Sequence, residues 1–529
     1  MRRCVVTLAW LWIVVLGTSG EESPRARLRT IPGDELFRAE KISRFKIKVD
    51  EPALAALNKD NRAYVPATVT VGTNVFTQVG IHLKGMGSFR PLNEKPSFAV
   101  KFDKYVADQT YLGLSKIMLN NSSQDGTYLA ELVATSMFRD AGIPAARVTH
   151  AFVEFNGRDL GLYVVVEAIN KDFLMQHFKS AKGNLYEAYL QDIDQTLDLD
   201  HGVNVGQADL KRLLDVTGMT NAVDRWQNLQ RVLDVERFLT FTALEMFASH
   251  TDGYARNRNN YRLYHDPGTD RFVFITHGLD WGYSDTGVPV WPPMNSIVVR
   301  AVLQTPEGRR LYRERLGPAF TNFFRLAVLT NRVQEAATRL RAGGVDSNQV
   351  NGFVTEMNNR LVNRARNIAR QLAAPDPLVV KFSPAGVASV TEWQERKLSG
   401  EALIARVQDG GRTALKIGAT NGPCVASWRA KVWLDEGSYV FQGIARTSSV
   451  EPLPETKPND PATPKGMSAG LRVSGQARTN HLHGDTAWTL LDHPFHAPSG
   501  GGEVDLICEL RAQRGEVWFD ASSLRLIKK

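Results

Sequence analysis

A strand pair with polar clusters at both ends constrains this chain more than any other feature. "NNYRLYHD" (Asn259–Asp266) and "RFVFITHGLD" (Arg271–Asp280) flank the turn-prone Pro267-Gly268, the pattern of two strands joined by a tight connection. Antiparallel pairing brings the outer ends of such strands together. Before the first strand stand His250, Asp252 and Asn257; at the end of the second stands Asp280-Trp281-Gly282. Any fold that forms this hairpin gathers carboxylate and amide oxygens from both of its ends into one neighbourhood.

The rest of the chain sorts into three compositions. "ATVTVGTNVFTQVGIHLKG" and "SFAVKFD" alternate β-branched and polar residues within 45–102, so strands are expected there. Residues 126–141 place apolar side chains at helical spacing before Gly142. "THAFVEFNG" and "LGLYVVVEAI" are two strands joined by Asn156-Gly157. From Gln207 to about Leu372 helical patterns dominate, the hairpin apart. Composition changes again at 373–384, and short strands with turn residues follow, which suggests a β-sandwich. Within it "SSVEPLPETKPNDPATPKG" reads as a long exposed loop. A chain of 529 residues exceeds one compact core. The expected class is α+β followed by all-β.

Met1-Arg2-Arg3, the apolar run Val5–Leu16 and the small residues before Glu21 have the three parts of a secretory leader, with cleavage expected near residue 20. No other apolar run reaches membrane length, so no stable membrane span is expected. The net charge of +8 is modest for this length. It favours anionic partners, and without a long basic run it gives no reason to expect nucleic-acid binding. Cys4 falls in the leader, leaving Cys424 and Cys508 as either a disulfide or two buried thiols.

Phosphoryl transfer requires a held triphosphate, metal ions to neutralise it and an oriented hydroxyl. His250-x-Asp252-x4-Asn257 is the spacing of the protein-kinase catalytic loop, and Asp280-Trp281-Gly282 differs by one residue from Asp-Phe-Gly. In that reading Asp252 steers the acceptor's proton, Asn257 and Asp280 hold Mg²⁺ or Mn²⁺, and His250 braces the loop. Lys101, ending a predicted strand, could pair with ATP phosphates, and Glu131 on the next helix could orient it. In "LKGMGSFR", Gly85, Gly87 and Ser88 could cover phosphate oxygens, with Lys84 and Arg90 beside them. Glu167, in "LGLYVVVEAI", completes the nucleotide-binding candidates.

These stretches resemble the CotH family, the atypical secretory kinases named after spore coat protein H. The resemblance covers about residues 45–290 and is carried by "VGIHLKGMGSFR", "KPSFAVKFD", "LGLSKIMLNN", "GNLYEA", "THGLDWGY" and, most specifically, "NGRDLGLYVVVEAIN" before "DFL". It implies an atypical kinase-like fold over 28–375, with a small strand-rich N-lobe and a helical C-lobe. It also implies dependence on ATP and a divalent metal, and phosphorylation of Ser or Thr on secreted or surface proteins. Asp252 matches the catalytic aspartate, Asn257 and Asp280 the metal-binding pair, and Lys101 the nucleotide lysine. Many members carry Trp-Asp-x-Asp where this chain has His277-Gly278-Leu279-Asp280, so one acidic group is absent.

Residues 376–529 are expected to form a galactose-binding-like jelly-roll sandwich, "GEVWFDASSLRLI" resembling its closing strand. Trp393, Trp433, Trp488 and Trp518 could stack on sugars, which makes a glycan a further expected partner, or could fill the core. His481, His483, His493 and His496 are metal ligands or solvated loop residues. Two other functions stay open: a catalytically degenerate surface adhesin, and a metal-dependent hydrolase built on His250, Asp252, His265, Asp266, His277 and Asp280.

Overall fold

In a computed structural model of the chain, residues 31–203, 206–454, 468–498 and 500–529 are described. The expected leader at residues 1–20 and residues 455–467 of the Pro-rich segment lie outside them.

Seven strands close into a barrel: β1 (Ser43–Lys48), β2 (Val65–Val71), β3 (Asn74–Lys84), β4 (Ser97–Lys101), β5 (Lys116–Asn120), β6 (Val148–Phe155) and β7 (Arg158–Glu167). Every second residue points inward. Thus Ile81, Leu83, Phe98, Val100, Ile117 and Leu119 pack in the barrel core with Phe45 and Val165. The alternate residues His82, Lys84, Lys101, Lys116, Met118 and Asn120 take the outer face of β3, β4 and β5. Parallel pairing of β1 with β6 (Phe45 opposite Val153) completes the ring and leaves no open edge. The β6–β7 turn forms where predicted, because Asn156 (φ 48°) and Gly157 (φ 80°) both adopt the left-handed backbone of a tight hairpin. One helix not read from the sequence, Glu51–Lys59, begins where Asp50 accepts from the Ala53 amide at 2.9 Å.

The helix Ala130–Asp140 leans on the barrel. The Asp125 carboxylate fixes its start, accepting from the amides of Leu129 (3.0 Å) and Ala130 (2.9 Å). Gly142, at φ 70°, follows its end. Beyond the barrel, β8 (Leu185–Glu187), β9 (Asp198–His201), β10 (Tyr261–Asp266) and β11 (Arg271–Thr276) form a second sheet in the order β11-β10-β8-β9. The hairpin of β10 and β11 is antiparallel as expected, with Tyr261 opposite Thr276. It packs on the apolar helix Val235–Phe247, where the Phe238 and Phe274 rings lie 4.8 Å apart.

The long helix Ser347–Leu372 buries Val350, Phe353, Met357, Leu361, Arg364 and Ile368, one apolar stripe interrupted by a guanidinium. Arg364 is fully buried and donates to four backbone carbonyls. Those of Met246 (2.6 Å) and Phe247 (3.1 Å) end the helix before the catalytic-loop spacing; those of Thr286 (3.2 Å) and Val288 (2.5 Å) follow Asp280. One side chain thereby fixes both approaches to the polar cluster.

After Leu372 the chain is β-rich. Eleven strands share one sheet network around the long strand Gly502–Asp520, which pairs with Cys424–Leu434, Ser438–Pro452, Arg412–Ala419 and Ala469–Val473. The start of the predicted Pro-rich loop is strand, since Ser448–Pro452 continue Ser438–Pro452. Cys424 lies opposite Ala512 while Cys508 lies opposite Trp428. That offset of four residues, about 13 Å along a strand, exceeds the reach of a disulfide. Both thiols are free and buried.

Trp393 fills the core against Phe441, with ring centroids 5.9 Å apart. Trp518 lies under Arg446 at 3.7 Å and Trp433 meets Trp291 of the helical part at 5.2 Å. Trp488 lies beneath Arg412 and Arg446, at 5.4 and 5.6 Å. His493 is buried, whereas His481, His483 and His496 are exposed. Among the described residues no three His, Cys, Asp or Glu side chains group as a metal site, and no helix is long and apolar enough to cross a membrane.

Candidate active site

The loop after the helix Val235–Phe247 is built around a buried carboxylate. Glu245 accepts from the amides of Tyr254 (3.1 Å) and Ala255 (2.8 Å), and one of its oxygens lies 3.3 Å from His250 Nδ1. His250 Nε2 donates to the Gly278 carbonyl at 3.1 Å. The histidine thus braces the loop, the role its position suggests. Asp252 stands half-buried at the loop's crest and is clasped by three asparagines. Asn257 donates to its Oδ1 at 2.6 Å, while Asn259 (2.9 Å) and Asn260 (3.2 Å) donate to Oδ2. Three neutral donors keep the carboxylate oriented without neutralising it, as a proton acceptor requires.

Across the hairpin, Asp280 sits in a 3-10 turn, Leu279–Trp281, against the helix Ala130–Asp140. Asn260 donates to the Gly278 carbonyl at 3.4 Å, and the Tyr283 amide to the Ala248 carbonyl at 2.7 Å, so the two loops are stitched together. Gly278 adopts φ 60°, and a Cβ there would lie 2.8 Å from Asn260 Cγ. A side chain at this position would have to displace the Asn260 amide and hold a left-handed backbone, which favours glycine.

Lys84 ends β3 with its ammonium donating to Asn120 Oδ1, and Asn120 Nδ2 donates to Glu131 at 3.2 Å. Burial pushes the Lys84 pKa down, opposed by the carboxylates of Glu131, Asp280 and Glu187. Burial raises Glu131 to about 7, reinforced by the negative charge of Asp280; burial raises Asp280 as well, opposed by Lys84. Two crowded carboxylates facing one ammonium favour a further cation.

The structure brings Asp252 and Asn257 into contact and sets Asp280 beside Glu131 and Lys84. Gly85, Gly87 and Ser88 lie in the turn directly after Lys84. Gly85, at φ 96°, is tight against Ser88, where a Cβ would come 2.6 Å from Oγ, and the Ser88 carbonyl accepts from Asn121 at 3.1 Å. Lys101 is not in this cluster. It pairs with Gly80 on the neighbouring strand β3 whereas Lys84 faces Ser97, four residues or about 13 Å along the strand. Its ammonium is half-exposed, 3.8 Å from Asp103. Glu167 is committed elsewhere: Arg147 grips it through Nε (2.9 Å) and Nη2, and Gln176 donates to it at 2.9 Å. It serves as the buried half of an ion pair that ties the end of β7 to Arg147.

Sequence reasoning took Lys84 for a flanking basic residue and missed Asn120, Asn259, Asn260 and Glu245. The signal available for Lys84 was its place at the end of an alternating strand, directly before the glycine turn. The hydrolase constellation does not assemble. His265 is held between Asp209 (3.1 Å) and Asp270 (2.9 Å), away from His250.

Asp280 and the Asn257 Oδ1, whose own Nδ2 is turned to Asp252, are the oxygen donors suited to a hard divalent cation. A site with so few protein ligands fits an ion that keeps waters and shares phosphate oxygens.

A family model described as "CotH kinase protein" matches residues 81–372. The "Inner spore coat protein H" of Bacillus subtilis (strain 168) is 24% identical over 301 residues, covering 52% of this chain and 80% of that protein. Among solved structures, the Helicobacter pylori proinflammatory kinase CtkA aligns with 54% of this chain and 96% of its own, at 10% identity and a TM-score of 0.22. The glucuronidase BtGH115A, of family GH115, aligns with 44% of this chain and 31% of its own, at 13% identity and a TM-score of 0.16.

Proposed function

Because the chain belongs to the CotH kinase family, we propose that it is an exported protein kinase that transfers phosphate from ATP, with a divalent cation, to Ser or Thr of secreted or surface proteins. The single observation that carries this reading is the junction at Gly278. There the Asp252 clasp and the Asp280 turn meet on one carbonyl, with Lys84, Asn120 and Glu131 beside Asp280.

Lys84 binds phosphate oxygens, with Asn120 and Glu131 fixing its position, and the Gly85–Ser88 turn closes over them. Asp280 and Asn257 would hold the cation, which would neutralise charge on the phosphate oxygens. Asp252 orients the acceptor hydroxyl and takes its proton. The barrel then acts as the small N-lobe, the helices with the second sheet as the C-lobe, and residues 376–529 as a jelly-roll module that selects partners or glycans. Export follows from the leader-like residues 1–20.

The test is incubation of purified protein with γ- or α-labelled ATP and Mg²⁺ or Mn²⁺, followed by intact-mass measurement. Mass gain with γ label alone supports phosphate transfer, and α label on the protein means AMP transfer. No label under any condition points to the degenerate surface protein.

A further inference from the structure

A cavity of about 1060 Å³ lies between the helical part and the β-rich part. One wall is the short helix Tyr254–Asn257, through Arg256; another is the segment 289–295 that follows Asp280 in the chain. The helix Pro306–Asn322 closes it together with residues 473–476 and 501–505 of the β-rich part, at the end of the strand Ala469–Val473 and the start of the strand Gly502–Asp520. Its volume reaches the upper end of the range that holds drug-sized ligands, enough for a few residues of extended chain.

Its charges are nearly all matched. Arg313 pairs with Asp376 and, at 3.0 Å, with Glu503; Lys431 pairs with Glu503 at 3.2 Å; Glu314 pairs with Arg310 at 2.7 Å. Asp505 stands directly across its strand pair from Lys431. Arg256 is the one lining arginine or lysine with no ion pair among the described residues, and its Nη1 is sealed from solvent without an acceptor. The Trp291 Nε1 in the same wall is likewise buried, with no hydrogen-bond partner among the described residues. Unmet buried donors cost free energy that an anionic ligand with a peptide carbonyl would recover.

We infer that this cavity docks the acceptor polypeptide, with an acidic side chain of the acceptor on Arg256. The inference rests on the kinase reading above and adds a sequence preference to it. Arg256 adjoins Asn257, which holds Asp252 at 2.6 Å, so a chain seated here presents a neighbouring hydroxyl to the same loop. The β-rich part supplies the opposite wall and so takes part in acceptor choice.

The experiment is fluorescence anisotropy without nucleotide, using full-length protein and short serine-containing peptides that differ only in carrying Glu, Gln or Lys. The Glu peptide is expected to bind best and to lose about thirtyfold or more in affinity in Arg256→Ala, the scale for removing one partner of a desolvated charge pair. Arg256→Glu is expected to move the preference to the Lys peptide, with the thermal midpoint unchanged in both variants. Binding of none of the peptides, equal binding of all three, or undiminished Glu-peptide binding in the variants overturns the proposal. Peptide preference without phosphate transfer defeats only the kinase reading; transfer that ignores Arg256 and acidic residues defeats only the docking site.

Discussion

Lys84 reaches Glu131 through Asn120: the ammonium donates to the amide oxygen and the amide nitrogen donates to the carboxylate. An amide between the two charges fixes their separation while leaving the ammonium free to meet an anionic ligand. Lys84→Met should therefore weaken ATP binding at least tenfold, the scale of a hydrogen bond to a charged group. Lys101→Met should leave it unchanged. Calorimetry of ATP with Mn²⁺ decides between them, and the reverse ranking would return the role to Lys101.

Asp280→Ala should abolish the dependence of nucleotide binding on metal. A carboxylate on a tight turn beside Lys84 would hold a cation, and the cation would supply charge neutralisation for the phosphates. The check is the same titration with and without Mn²⁺, and a variant that still gains affinity from the metal removes Asp280 from that assignment.

Asp252→Asn should leave nucleotide affinity largely intact and cut phosphate transfer by about 10²- to 10⁴-fold. Single-turnover transfer from labelled ATP measures this directly. An unchanged rate would mean that the clasped carboxylate is not the proton acceptor.

The pH dependence has a definite sign. Glu131 is raised from 4.5 to about 7 by burial first and by Asp280 second. Its contribution to stability is complete below the unfolded value and is lost as pH rises through the folded one. Between about pH 5 and about pH 8 the thermal midpoint of the metal-free protein should fall more in the wild type than in Glu131→Gln. Thermal scans across that range check it; parallel curves would show that the burial of Glu131 does not govern this window.

How much of this was legible in the sequence depended on distance along the chain. Asp252, Asn257 and Asp280 flank one hairpin, so local spacing suffices to place them near each other. The choice between Lys84 and Lys101 was different. Both end strands and both point to the outer face of the barrel, and only the register of β3 on β4 shows which lies at the mouth of the cluster. Glu167 looked available because its partner Arg147 lies twenty residues earlier, on a segment without a periodic signal. Asn120 belongs to no motif, and its role exists only once β5 lies beside the helix Ala130–Asp140. The α+β then β-rich order followed from composition, whereas closure of the barrel depends on a parallel β1–β6 pair that no alternation reveals.

A fragment ending at residue 376 should keep nucleotide-dependent thermal stabilisation, since every group of the candidate site precedes that point. Its baseline midpoint should be lower than that of the full chain. Trp291 would lose Trp433 from its ring stack and Arg313 would lose Glu503. Differential scanning fluorimetry with and without ATP and Mn²⁺ checks both parts, and a soluble, folded fragment without stabilisation would show that the site needs the β-rich part.

The oxygen of Gly278 receives His250 and Asn260 together, which changes what mutational kinetics can resolve. A shift of that one atom disturbs the clasp on Asp252 and the turn that carries Asp280 at the same moment. Variants at Gly278, His250 or Asn260 should therefore worsen kcat and KM in proportion, and a scan of single substitutions would assign each of them to both steps. Separating the steps requires paired changes, scored by whether the second restores one constant while the other stays impaired.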